Sequence, residues 1–141
     1  MSTTESATSA LRVIVVTPEE TVLDIAADFV ALPLFDGEVG IGKDHSPMIG
    51  RLGYGELRVK VEGTTSRYYI DGGFVQVNDN LVSVLTNRAI PAAAVDEVLA
   101  AEQLASAITR KFAGEEELAI RDRLISQARA QIRVATRSKR R

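Results

Sequence analysis

From Leu11 to about Ile90 the apolar residues fall in short β-prone runs, of which LRVIVVT, DFVALPL, GELRVKVE, SRYYI, FVQVND and NLVSVLT are the clearest. In GELRVKVE, Leu57, Val59 and Val61 alternate with Glu56, Arg58, Lys60 and Glu62. That period of two predicts a half-buried strand with one face in a core and the other in water. Between the runs stand LFDGE, LGYGE, EGTT, IDGG and NDN, which supply the glycine, aspartate and asparagine that turns of positive φ require. Closely spaced strands with such turns predict an antiparallel β-sandwich or barrel over residues 11–90.

After Pro91 the period becomes helical. Ala94, Val98, Ala101, Ala105, Ile108 and Phe112 follow steps of four and three and predict one narrow apolar stripe, which Gly114 ends. Leu118, Ile125, Ala128, Ile132 and Ala135 continue on one side of a second helix, so a two-helix antiparallel hairpin with a short turn is expected over 91–141. Three glutamates open the second helix and basic residues close it, as the helix dipole favours. Alanine holds many seam positions, so the helices approach closely while burying little area. At about 25 cal/mol per Å2 of apolar surface, such a seam is weak against ordering entropy and makes the hairpin the labile half. The fold class is therefore β + α, an N-terminal sandwich or barrel followed by a helical hairpin.

Composition narrows the chemistry. The 141 residues carry 45% hydrophobic and 26% charged side chains with a formal net charge of −2, which offers nucleic acid no global attraction. Tyr54, Tyr68 and Tyr69 are too scattered for a base-stacking platform. Basic residues collect at the end, where RVATRSKRR holds Arg133, Arg137, Lys139, Arg140 and Arg141 with no acid. Cysteine is absent, which removes thiolate-metal and cysteine-nucleophile chemistry. No apolar run approaches the ~20 residues that cross a bilayer. Residues 1–10, MSTTESATSA, lack a basic region followed by a hydrophobic one and read as a disordered leader. A cytoplasmic protein is expected, held at any membrane only by a partner.

The stretch FDGEVGIGKDHSPMIG comes within one residue of the phosphate-cradling G-x-x-x-x-G-K-[ST]: Gly37, Gly42 and Lys43 match, but Asp44 stands where a magnesium-binding hydroxyl belongs. Pro47 follows at once and strand-like sequence continues, so no helix N-terminus is available for the phosphates, and an acid there would repel them. The glycines read instead as bends in a β connection, with Glu38, Lys43, Asp44 and His45 exposed on its rim as a contact surface. His45 is the single histidine, so a multi-histidine metal site is impossible and a Ser-His-Asp arrangement would have to form from its own neighbours. Hydrogen bonding within the loop is the simpler role. No paired-carboxylate constellation stands out, and the chain does not read as an enzyme.

GEVGIGKDHSPMIGRLGYGELRV and YYIDGGFVQVNDNLVSVLTNRAI resemble, in order, two segments of the epsilon-subunit family of the rotary F-type ATP synthase. The likeness runs from about Leu11 to Val134. It implies a noncatalytic rotor part whose sandwich binds the gamma subunit and sits on the ring of c subunits, peripheral to the cytoplasmic face of the cell membrane. On that resemblance Asp36, Gly37, Glu38, Lys43, Asp44 and His45 belong to a ring-facing loop running to Pro47. The hairpin would pack on its own sandwich or extend toward the alpha and beta subunits and restrain ATP hydrolysis, with Arg133, Arg137, Lys139, Arg140 and Arg141 as contacts there. Some relatives bind ATP through an [IL]-D-x-x-R-A motif on the first helix and arginines on the second. Here VDEVLA keeps Asp96 but has Leu99 for the arginine, and Gln127 and Gln131 occupy the second-helix positions. Losing those cations predicts weak or absent ATP binding and no resident cofactor or metal. A different class of reading is a free-standing sandwich module that binds protein and dimerises through its hairpin.

Overall fold

A computed structural model describes residues 11–139. The leader at 1–10 and the last two arginines, Arg140 and Arg141, lie outside the described residues. Eight strands come first: β1 (Leu11–Val16), β2 (Thr21–Ala27), β3 (Phe29–Leu34), β4 (Gly37–Ile41), β5 (Met48–Val61), β6 (Thr64–Asn78), β7 (Leu81–Leu85) and β8 (Ala89–Pro91). A 3-10 turn at Ala92–Ala94 leads to α1 (Glu97–Thr109) and α2 (Glu115–Lys139). The strands form one continuous sheet in the order β2-β1-β7-β6-β5-β3-β4, with β8 added to β6. Folded on itself as a sandwich, it encloses Val13, Val15, Val30, Leu32, Ile41, Leu57, Val59, Ile70, Val75, Val77, Val82 and Val84.

Two turns follow from their residues. Glu62 and Gly63 both have positive φ, as do Asp79 and Asn80, which is the geometry of two-residue hairpin loops whose twist matches that of the strands they join. EGTT and NDN are thus turns, as their composition predicts. LGYGE and IDGG are not. They lie inside the long strands β5 and β6, which pair without interruption of register from Met48↔Val77 to Val61↔Thr64. Nor is every pair antiparallel, because β1 runs parallel to β7. A chain that returns over the sandwich before β7 can close the sheet this way, and no local signal marks it.

The glycines inside β5 and β6 have a different task. Met48 and Leu52, even-numbered on β5, face the core with Val75 and Val77, whereas further along Leu57 and Val59, odd-numbered, do so with Ile70. Strand side chains alternate strictly, so the pair must exchange faces between these halves. It does so at Gly53, Gly55, Gly72 and Gly73, where Gly72 and Gly73 have φ of +72° and +109°. No larger residue fits at Gly73, since a Cβ there would overlap the Leu85 carbonyl. β6 accordingly serves two neighbours, β7 along Phe74–Asn78 and β8 along Tyr68–Ile70.

The hairpin is antiparallel: Thr136 near the end of α2 donates to Glu97 at the start of α1, while Arg121 early in α2 donates to the Ile108 carbonyl late in α1. The second stripe is as its spacing predicts, with Ala128 and Ala135 buried and Leu118, Ile125 and Ile132 half-buried. The first stripe is not. Val98, Ile108 and Phe112 are exposed and Ala101 and Ala105 face outward, while Ala100 and Ala107 are buried and Leu104 is half-buried. In an alanine-rich helix with apolar residues on several sides, the smallest residues win the close approach, and periodicity alone does not choose among faces. The helix also starts later than the stripe implies, since Val95 is extended and Asp96 is the N-cap, accepting from the Leu99 amide.

Candidate functional site

Past the glycine corner, residues that would have pointed inward are turned out, and they build a polar platform. Tyr54 pairs with Asp71, Glu56 with Tyr69 and Arg58 with Arg67 across the two strands, all on one face. α2 lies over it. Tyr69, Ala92, Ala130 and Val134 form a small apolar cluster with Tyr54, Ile90 and Val95 against them. Around it the contacts are polar. Asp71, 5% exposed, accepts from the Tyr69 hydroxyl at 3.0 Å, from Gln127 Nε2 at 2.9 Å and from Arg88 Nε at 3.0 Å. Burial, reinforced by the Asp71 charge, pushes the Tyr69 phenol far above its ordinary range, so it stays a neutral donor.

Glu56, equally buried, has guanidinium nitrogens of Arg58, Arg67 and Arg137 at 3.5, 3.4 and 3.8 Å. These are looser than the two-pronged bond between Arg58 and Glu38 at 2.8 and 2.9 Å, which holds the Glu38 carboxyl below its usual range. Arg137 is the α2 contribution to this group. At the far end, Lys139 Nζ and the Thr136 hydroxyl meet Glu97 at 2.6 and 2.9 Å, which lowers that carboxyl too. Exposed pairs of this kind contribute little each, so the docking of α2 rests on the buried carboxylates and the small apolar cluster.

The residues singled out in the sequence do not converge. Asp36 lies in the β3–β4 turn, Gly37 and Glu38 begin β4, and Lys43, Asp44 and His45 lie beyond its other end. The rest of β4 lies between the two groups, and the five residue steps from Glu38 to Lys43 span roughly 16 Å of extended chain. The glycine-rich segment is thus a turn, a strand and a loop, not one loop. Its second part is stapled to the β6–β7 turn: the Asp44 amide donates to Asn80 Oδ1 at 2.6 Å and Asn80 Nδ2 to Asp44 Oδ1 at 3.1 Å. His45 Nδ1 lies 2.7 Å from the Ser46 carbonyl and must carry the proton, since a carbonyl only accepts. A cleft of about 430 Å3 between the helices includes Leu99, Ser106, Arg110, Gln127 and Gln131, with Arg88 of the sandwich. Its glutamines are engaged with Asp71 and Tyr69, and Asp96 is occupied as a cap. Arg133 is exposed on α2, and Arg137 and Lys139 make the contacts above. Among the described residues no cluster of three histidine, aspartate or glutamate side chains could hold a metal, and no helix is long and apolar enough to cross a membrane.

One surface escapes the sequence reading. Ile49 is 77% exposed, Phe74 59% and Leu85 56%, and Phe74 pairs with Leu85 while Ile49 lies two residues from Arg51, its other neighbour. They share the outer face of the first half of the strand pair, beside a groove of about 720 Å3 lined by Val16, Pro18, Phe74 and Leu85. The signal was present as doubled apolar residues, Phe74-Val75 and Val84-Leu85, which place one side chain on each face.

The β-sandwich domain of the ATP synthase delta/epsilon chain matches residues 10–92. An ATP synthase epsilon chain of Rhodopirellula baltica is 48% identical over 126 residues, covering 89% of this chain and 98% of the relative. An epsilon chain of Symbiobacterium thermophilum is 44% identical over 89 residues, or 62% of this chain and 64% of the relative. Among solved structures, a chain of the Euglena gracilis mitochondrial ATP synthase superposes with a TM-score of 0.79 over 94% of this chain and 82% of its own, at 21% identity, which speaks for the fold.

Replacing Asp71 with alanine strips the Tyr69 hydroxyl, Gln127 and Arg88 of their shared acceptor. Urea denaturation is expected to show a loss of about 1–3 kcal/mol. Asp71→Asn, which keeps one acceptor oxygen, is expected to lose less.

Proposed function

This chain belongs to the ATP synthase delta/epsilon family, and from that premise we propose that it is the noncatalytic epsilon-type subunit of a rotary central stalk. The observation that carries this reading is the exposed apolar face of Ile49, Phe74 and Leu85 on an otherwise well-buried sandwich. A contiguous apolar patch on a rigid sheet marks a protein contact and needs no nucleophile. The gamma subunit docks there. The end of the sandwich bearing Lys43, Asp44 and His45, tied to Asn80, faces the c-subunit ring, where polar and mixed-charge groups suit the polar loops of a partner. Torque then passes through the sandwich, which couples proton-driven rotation to synthesis while remaining peripheral to the cytoplasmic face of the membrane.

The hairpin restrains ATP hydrolysis. Its hold on the sandwich is the platform described above, a few kcal/mol of polar and apolar contact that a competing surface on the alpha and beta subunits can replace. Arg133, Arg137, Lys139 and the two final arginines supply the charge for that second position. ATP held in the cleft between the helices does not select between the two positions in this chain, because Leu99, Gln127 and Gln131 bring no charge to it and Arg88 is committed to Asp71.

Three outcomes check these statements. Phe74→Asp with Leu85→Asp, each exchanging about 1.5–3 kcal/mol of apolar burial for a charge, is expected to cut co-purification with gamma at least tenfold while the chain stays folded; retention with gamma would remove the docking face. A discrete homodimer in sedimentation would instead favour the self-associating module. Truncation after Ala94 in the assembled complex is expected to raise ATP hydrolysis severalfold, and an unchanged rate would refute the restraint. Titration of ATP into the isolated chain, followed by nuclear magnetic resonance, is expected to show no micromolar binding at the amides of Leu99 and Ser106.

A further inference from the structure

Beside the platform, on the opposite side of α2 from the Leu99 cleft, lies a second cleft of about 490 Å3 between α2 and the sandwich edge. Its sides carry Arg51 from β5 and Ser126, Arg129 and Arg133 from α2, with Gly53 and Tyr54 of β5 between them. Among the described residues none of these three arginines has an ion-pair partner; Arg51 rests over the Phe35 ring, 5.7 Å from its centre. No acid lines this cleft. The adjoining groove, which shares Leu34, Tyr54 and Arg133 with it, does contain Glu38 and Glu56, but both already face arginines.

Arg129 and Arg133 are four apart on one helix face, a spacing at which like charges repel by a few tenths of a kcal/mol. A third guanidinium from the sandwich is brought to the same space. An anion from outside the chain would relieve this repulsion. We propose that this cleft binds a multiply charged phosphoanion, a diphosphate group either free or carried on a larger molecule. Guanidinium forks match phosphate oxygens two at a time, and three of them around one opening favour several charges over one. Gly53 puts no side chain into this space, and a larger residue would crowd the Leu34 carbonyl oxygen, 3.0 Å from where its Cβ would stand. The volume lies in the range of small-molecule sites. Because Arg51 belongs to the sandwich and Arg129 and Arg133 to the hairpin, a bound anion would bridge the two. This site is independent of the subunit assignment above.

The test is nuclear magnetic resonance titration of the full chain with sodium pyrophosphate, ionic strength held constant with sodium chloride. Saturable shifts are expected at the amides of Gly53, Tyr54, Ser126 and Arg129. Arg129→Gln with Arg133→Gln is expected to weaken binding at least tenfold, as is Arg51→Gln alone from the opposite wall, whereas Arg110→Gln in the other cleft leaves it unchanged. Displacement of pyrophosphate by ATP from these same amides identifies a nucleotide-borne diphosphate, and failure of ATP to displace it identifies a free one. Shifts that sodium chloride reproduces at equal ionic strength, or affinity unchanged in both arginine variants, would overturn the site.

Discussion

The strand pair β5–β6 has to change the face it presents to the core, and it can do so only where side chains are missing. In a sheet of period two, a core on one side at Leu52 and on the other at Leu57 requires a break in the alternation. The cluster of Gly53, Gly55, Gly72 and Gly73 supplies it, with two of the four in the left-handed region and one pressed against the Leu85 carbonyl. This constraint makes the sandwich close, and it also decides what lies outside. Tyr54, Glu56, Tyr69 and Asp71 face outward only because the pair has turned over.

Everything the hairpin rests on descends from that turn. The platform offers α2 two buried carboxylates and one buried aromatic ring, but little apolar area, since the helix meets it with Ala130 and Val134. The contrast with the sandwich interior, filled by valine, leucine and isoleucine, is one of mechanism. The sandwich is held by burial, which has no alternative partner inside the molecule. The hairpin is held largely by hydrogen bonds and ion pairs, which another protein's surface can replace at small net cost. A stiff adaptor and a detachable arm are therefore the two consequences of one backbone feature.

The sequence made the large division legible. Alternation at Leu57, Val59 and Val61 and the helical spacing of Ala128, Ile132 and Ala135 are local signals, and both describe the folded chain, except that Glu56, expected in water, is buried beneath α2. The turn at Asp79 and Asn80 was legible for the same reason, because positive φ restricts residue type. What escaped depends on partners far along the chain. The parallel pairing of β1 with β7 has no sequence mark, the corner glycines look like turns, and the buried side of α1 is chosen by α2 and not by its own periodicity. The rim residues Glu38 and His45 looked like one site because they are close in sequence, yet a strand separates them. The arginines at 51, 129 and 133 meet only after both the corner and the hairpin have formed.

The most direct measurement is native-state hydrogen exchange followed across low denaturant concentrations. The account predicts that the amides of α1 and α2 open together at a free energy below that of β5 and β6, whose amides exchange only on global unfolding. Helix amides that open only with the whole molecule would show that the arm is not separable from the sandwich, and would contradict it.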